Sequence, residues 1–285
     1  MPDLSEKIAL VTGAGGERGI GRAIATRLAR DGADVVINDV VDKPYATGSD
    51  GWQGVASVAR EIEALGRRAL VAVADIRDAV QVDDMVANAV DAFGRIDILV
   101  SNAASRPGPD RVPVVDLHED AWDEVFSVNA RGTFLCCRAV VRSMIATGEG
   151  GKIITIASTL GQRGRARYGA YSASKHAVIG LTECLALELA EHRITVNAIC
   201  PGVVDTERVG HIAAARRAEV PGQDSREEFM RARARDTPLG RVGEPEDVAN
   251  IAAFLASEES DFLTGLAVTV AGGAHLVGMD HTREP

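Results

Sequence analysis

Residues 8–30 read IALVTGAGGERGIGRAIATRLAR, and the reading of this stretch decides the fold. Ile8 to Thr12 is a short apolar run of the kind that forms a buried strand. Ile20 to Arg30 places apolar residues three and four apart, as an amphipathic helix does. Between them lie Gly13, Gly15, Gly16 and Gly19, with Gly21 just inside the helix. A strand, a glycine loop and a helix in that order present backbone N–H groups at a helix N-terminus, where a pyrophosphate is held. The same glycines also suit a tight turn with no ligand, so further signals are needed. One is Asn38-Asp39, at the end of the second apolar run and roughly 20 residues past the loop, where a carboxylate accepts the hydroxyls of an adenosine ribose. It favours a dinucleotide over a mononucleotide.

The alternation continues along the chain. Strand candidates follow at Val35 to Ile37, Leu70 to Val73, Ile96 to Val100, Ile153 to Ile156, Ile194 to Ile199 and Ala267 to Val270. Helical spacing fills the gaps at Val55 to Leu65, Val80 to Phe93, Trp122 to Ile145, Ala173 to Leu189 and Val248 to Leu255. Short, nearly all-apolar strands between helices imply a parallel sheet covered on both faces. With right-handed crossovers the expectation is an α/β, single-domain, doubly wound Rossmann fold over residues 1–285, built on a seven-stranded parallel sheet. Two stretches break the rhythm. Val41 to Gln53 is rich in turn formers and reads as a surface loop, and Asp205 to Gly243 reads as a substrate lid.

Composition narrows the function. The chain has 285 residues and a formal charge of −10, which repels a nucleic-acid backbone. No apolar run reaches the roughly 18 residues of a membrane span, and the start carries no export signal. Cys136, Cys137, Cys184 and Cys200 have no zinc-binding spacing and read as buried, reduced thiols of a cytoplasmic protein. The six histidines form no ligand pattern, so no metal is expected.

Chemistry concentrates at Tyr171-Ser172-Ala173-Ser174-Lys175. On a helix, Tyr171 and Lys175 lie one turn apart on one face. The chain holds 3 tyrosines and only four lysines, so the pairing is seldom accidental. Bringing a phenol of pKa about 10 to neutrality requires about 4 kcal/mol of preferential stabilisation of the phenolate, part of which a fixed ammonium supplies. Tyr168 is a rival, but its fourth following residue is Ser172.

Thr12-Gly13 with Gly19-Ile20-Gly21, Ser101-Asn102-Ala103-Ala104, Asn129, Ser158, Tyr171-x-x-x-Lys175 and Pro201-Gly202 together resemble, in order and spacing, the short-chain dehydrogenase/reductase family over about residues 5 to 273. The resemblance implies Tyr171 as general acid/base and Ser158 as hydrogen-bond partner of the reacting oxygen. Lys175 would lower the Tyr171 pKa and hold the nicotinamide ribose, and Asn129 would hold a water beside the lysine. Gly13, Arg18, Gly19, Ile20, Gly21, Asp39, Asp75, Ile76, Asn102, Val204 and Thr206, with Tyr171 and Lys175, would bind the cofactor.

The implied activity is hydride transfer between a nicotinamide cofactor and a small-molecule secondary alcohol or ketone, by a homo-oligomer expected to be a tetramer, since family members pair through the helices that correspond here to Trp122 to Ile145 and Ala173 to Leu189. Trp122 to Ile145 and Ala173 to Leu189 are apolar around more of their circumference than one buried face needs. An NADP-dependent ketone or 3-oxoacyl reductase is the alternative within the family, and a non-catalytic dinucleotide sensor the alternative outside it. Asp39 argues for NAD, because a 2′-phosphate there would meet a like charge; Arg18 argues for NADP. The glycine loop has five residues between Gly13 and Gly19, where the family usually has three, and this shifts the reach of Arg18. Arg163, Arg165 and Arg167 lie where the family's pocket wall runs; they could meet an anionic group on a substrate, but the favoured reading is a solvated or subunit-facing loop.

Overall fold

The computed structural model describes residues 2–45, 51–209 and 226–277. Seven parallel strands form one sheet: β1 (Ile8–Val11), β2 (Asp34–Asp39), β3 (Ala69–Val73), β4 (Ile98–Ser101), β5 (Gly151–Ile156), β6 (Ile194–Pro201) and β7 (Ala267–Val270). Their order is β3-β2-β1-β4-β5-β6-β7. The chain therefore reverses its direction of travel between β1 and β4, and the crevice beyond the carboxyl ends of those strands is where such folds bind ligands.

The continuous apolar runs follow from burial on both faces. Along β1, Ala9 and Val11 enter one core while Leu10 enters the other. Val35 and Ile37 oppose Val36 in β2, and Ile98 and Val100 oppose Leu99 in β4, by the same two-residue alternation. One face is covered by α1 (Ile20–Arg30), α2 (Val55–Ala64) and α8 (Pro245–Ala256). The other is covered by α3 (Ala79–Phe93), α4 (Glu119–Phe126), α5 (Thr133–Thr147) and α6 (Gly169–Leu189). One further helix, α7 (Arg226–Arg235), lies in the stretch expected as a lid. Residues 210–225 of that stretch lie outside the described residues.

Three differences from the sequence reading affect the site. The continuous helix expected over Trp122 to Ile145 is interrupted by a π-helical segment, Ser127–Gly132, which contains Asn129. Such wide turns recur at functional positions. The loop of Val41 to Gln53 is no simple surface excursion. Its residues 46–50 lie outside the described ones, but Pro44 and Trp52 are buried, and the Trp52 indole donates to the Gly15 carbonyl at 3.1 Å. Finally, Cys136, Cys137 and Cys200 are buried as expected, whereas Cys184 is exposed, because it sits on the outward side of α6.

Candidate active site

Thr12 fastens the crevice between β1 and β4. Its Oγ1 accepts the backbone N–H groups of Asn102 and Ala103 at 3.0 and 3.1 Å. Asn102 Nδ2 donates in return to the carbonyls of Thr12 and Gly13 at 2.8 and 2.9 Å. This mutual bonding presses the two strand ends together and explains two glycines. At Gly13, φ is +66° and an added Cβ would lie 2.7 Å from Ala103 Cα. At Gly21, in the first turn of α1, a Cβ would lie 2.4 Å from the Gly13 carbonyl oxygen. Neither position admits a side chain without moving the crevice.

Asp39 closes the end of the crevice beside the glycine loop. Its Oδ2 accepts from the Gly15 N–H and its Oδ1 from the Val40 N–H, both at 2.9 Å. Burial pushes this carboxyl up, and the two N–H bonds and the charge of Arg106 offset only part of the effect. Arg106, which the sequence reading did not single out, reaches from the loop after β4 to the Pro44 carbonyl, its guanidinium 5.4 Å from the centre of the Tyr45 ring. Arg18 points elsewhere. Its guanidinium pairs with Asp205 at 2.8 Å, and it does not line the large cavity described next.

That cavity, of about 1130 Å³, runs from Gly13, Asp39 and Asn102, past Asp75 and Ile76, to Ser158, Tyr171 and Lys175. Gly19, Ile20, Val204 and Thr206 also line it, whereas Gly21 acts beneath it by admitting the loop. It exceeds the roughly 300–1000 Å³ usual for a single small ligand. The residues fit a nicotinamide dinucleotide together with a substrate: a glycine loop too close-packed for side chains, an inward carboxylate at one end and a phenol at the other.

Lys175 is fully buried, and its Nζ donates to the Ile156 carbonyl at 2.7 Å. The ammonium stands 6.0 Å from the centre of the Tyr171 ring. Ser158 follows β5; its Oγ accepts the Leu160 N–H at 3.1 Å, and its hydroxyl lowers the Tyr171 phenol pKa. Thr155, similar in type, is occupied with Thr182 at 2.8 Å. Asn129 is wholly buried in the π segment. Its Oδ1 accepts the Ser105 N–H at 2.8 Å, and its Nδ2 donates to Ser174 Oγ at 3.0 Å. It thereby ties the loop after β4 to the second turn of α6, and so to the Tyr171 backbone, whose carbonyl accepts from Ser174 Oγ at 2.8 Å.

Two further residues reach Tyr171. The guanidinium carbons of Arg111 and Arg208 lie 4.6 and 5.1 Å from its ring centre, and Arg111 also covers Tyr168 at 4.2 Å. Burial alone would raise the Tyr171 phenol. The charges of Arg208 and Lys175, the polar Ser158 hydroxyl and the charge of Arg111 outweigh it and hold the phenol below its ordinary value. Lys175 is itself depressed, chiefly by burial. The Cys200 thiol, behind Ser158, is pushed up to about 11 by burial and is not a nucleophile at neutral pH. An acidified phenol beside a serine hydroxyl can take up and return a proton at an oxygen placed between them.

Residues 13–275 match the family described as enoyl-(acyl carrier protein) reductase. A sorbitol dehydrogenase of Cereibacter sphaeroides is 40% identical over 272 residues, which cover 95% of this chain and 98% of that protein. A galactitol 2-dehydrogenase of Agrobacterium fabrum is 38% identical over 270 residues, covering 95% and 98%. Among solved structures, carveol dehydrogenase from Mycobacterium avium in complex with NAD superposes with a TM-score of 0.87 at 30% identity, covering 97% of this chain and 100% of that one. The chain belongs to the short-chain dehydrogenase/reductase family. It is an oxidoreductase of the nicotinamide-dependent kind.

Proposed function

We propose that the protein is an NAD-dependent dehydrogenase that interconverts a secondary alcohol and its ketone, with Tyr171 as the general acid/base. The observation that carries this reading is the convergence of Tyr171, Ser158 and Lys175 on the same cavity that Gly13 and Asp39 open at the other end. The nicotinamide, when bound, supplies the hydride acceptor or donor. The chain's own residues supply position and proton transfer. Ser158 orients the substrate oxygen, Tyr171 removes its proton during oxidation, and Lys175 with the two arginines holds the resulting phenolate charge. Asn129 fixes the register of α6 against the loop after β4. Relatives that act on sorbitol, galactitol and carveol support a carbinol substrate.

NAD is favoured over NADP at Asp39. Both carboxylate oxygens are held by backbone N–H groups, so the charge cannot turn away from a 2′-phosphate. At an effective dielectric of about 20, like unit charges about 4 Å apart repel by about 4 kcal/mol before screening. Arg18 gives no compensation, being paired with Asp205. Steady-state oxidation of a panel of secondary alcohols with each cofactor tests the assignment. The parent should prefer NAD, and Asp39→Ala should move the ratio of kcat/KM toward NADP by at least about tenfold. A parent that prefers NADP, or a ratio unmoved by the substitution, would contradict it.

We also propose a homotetramer. Trp122, Phe134, Ile145 and Leu187 lie exposed on α4, α5 and α6, the helices whose apolar surface exceeds one buried face. A monomer in sedimentation at micromolar concentration would remove this proposal. The free thiols, three of them buried, suit a reducing cytoplasm.

A further inference from the structure

The cavity continues beyond Tyr171 into a region that is rich in arginine. Arg111, 10% exposed, comes from the loop after β4, and Arg208 comes from the stretch after β6. Both guanidiniums lie on the Tyr171 ring and within electrostatic reach of each other. Their compensation is incomplete. Arg111 Nη1 faces Asp110 Oδ2 at 3.3 Å without hydrogen-bond geometry, and among the described residues Arg208 donates only to the neutral Ser105 carbonyl. Arg111 Nε and Nη1 and Arg208 Nη2 are buried with no acceptor among the described residues. Arg163, whose guanidinium donates to the carbonyls of Ala274 and His275, is a further cation lining the same cavity. Buried guanidinium donors converging without acceptors are the complement of a planar, doubly accepting anion.

We propose that Arg111 and Arg208 form a carboxylate seat beside the Tyr171 phenol, so that the alcohol oxidised here is a hydroxy acid. The proposal rests on the dehydrogenase reading above and names its substrate class. The carboxylate occupies the two guanidiniums and sets the carbinol oxygen against Tyr171 and Ser158. The carbinol then gives its O–H proton to Tyr171 and its C–H hydride to the oxidised nicotinamide, leaving a keto acid with the carboxylate unchanged. Neutral polyols, the named substrates of the sorbitol and galactitol relatives, leave the same donors unpaired.

The test compares lactate, malate and β-hydroxybutyrate with their methyl esters, which keep the carbinol and lose the charge. With NAD, at least one acid should exceed its ester in kcat/KM by at least about tenfold. Arg208→Met should bring that ratio to about one, with Arg208→Lys retaining part of it, while the Kd for NADH stays within about twofold. Arg111→Met, on a separate loop, should reproduce the loss and guards against a folding defect in one variant. Calorimetry of the acids against the protein–NADH complex, which cannot oxidise them, reads the seat without turnover. Acids that bind while neither acid nor ester reduces NAD would defeat the catalytic reading and uphold the seat. Esters or sorbitol turned over as well as the acids, acids that fail to bind, or an Arg208→Met variant that loses NADH and leaves the ratio intact would overturn the seat. The last result would assign Arg208 to the cofactor.

Discussion

Tyr171→Phe is expected to lower kcat for alcohol oxidation by about 10²–10⁴-fold, the usual worth of a positioned proton transfer. NADH affinity should stay within about twofold. The substitution removes one oxygen and keeps the ring on which Arg111 and Arg208 lie, so the cavity wall is preserved. Fluorescence titration of NADH alongside steady-state turnover separates the two effects. A variant that retained more than about a tenth of parental kcat would place the acid/base elsewhere.

Lys175→Met is expected to lower kcat by at least about 10²-fold and to weaken NADH binding, since the ammonium is assigned to both the phenolate and the ribose. Its effect on stability should differ in kind. Lys175 is buried with a carbonyl and no carboxylate as its bonded partner, and burial depresses its pKa. A buried ammonium so placed is held at a cost in folding free energy, and a methionine of similar length removes that cost while leaving one acceptor, Ile156 O, unpaired. The melting temperature should therefore hold or rise while activity falls. The pH at which oxidation rises should also move upward, because the reactive form is the phenolate, which grows as pH increases through the Tyr171 pKa. Loss of the Lys175 charge raises that pKa. A large drop in melting temperature with an unshifted profile would make Lys175 a packing residue.

The sheet was legible in the sequence because every central strand is buried on both faces, so its apolar runs carry the signal without help from the turns. All seven strands lie where those runs do, displaced by at most two residues at each end, the start of β4 included. There Ile96 is buried but precedes the ladder, which begins at Ile98. The π segment was not legible. Its one extra residue per turn leaves the apolar spacing of 122–145 nearly unchanged, and only the fully buried Asn129 marks it. Helix α7 was missed for the opposite reason: REEFMRARAR buries Phe229 alone and has no apolar period.

Within the candidate site, legibility followed backbone regularity. Tyr171 and Lys175 share a helix, and Ser158 and Asn129 keep fixed distances from it along the chain. Arg111 and Arg208 come from irregular segments, where no periodicity says which way a side chain turns. Only their folded positions reveal that both lie on Tyr171. The loop arginines that drew attention in the sequence divide: Arg163 and Arg165 line the cavity, and Arg167 does not. Arg18, credited with reach toward a 2′-phosphate, is held by Asp205, a partner 187 positions away that no local pattern discloses.

The central claim is that this fold acidifies one phenol for proton transfer, and direct titration of that phenol tests it without knowledge of the substrate. With 3 tyrosines in the chain, ultraviolet difference titration of the parent minus Tyr171→Phe isolates a single ionisation. The account predicts a phenolate that forms well below the ordinary tyrosine value of about 10 and that moves upward in Arg208→Met and in Lys175→Met. A Tyr171 that ionises at or above about 10, or one indifferent to both cations, would contradict it.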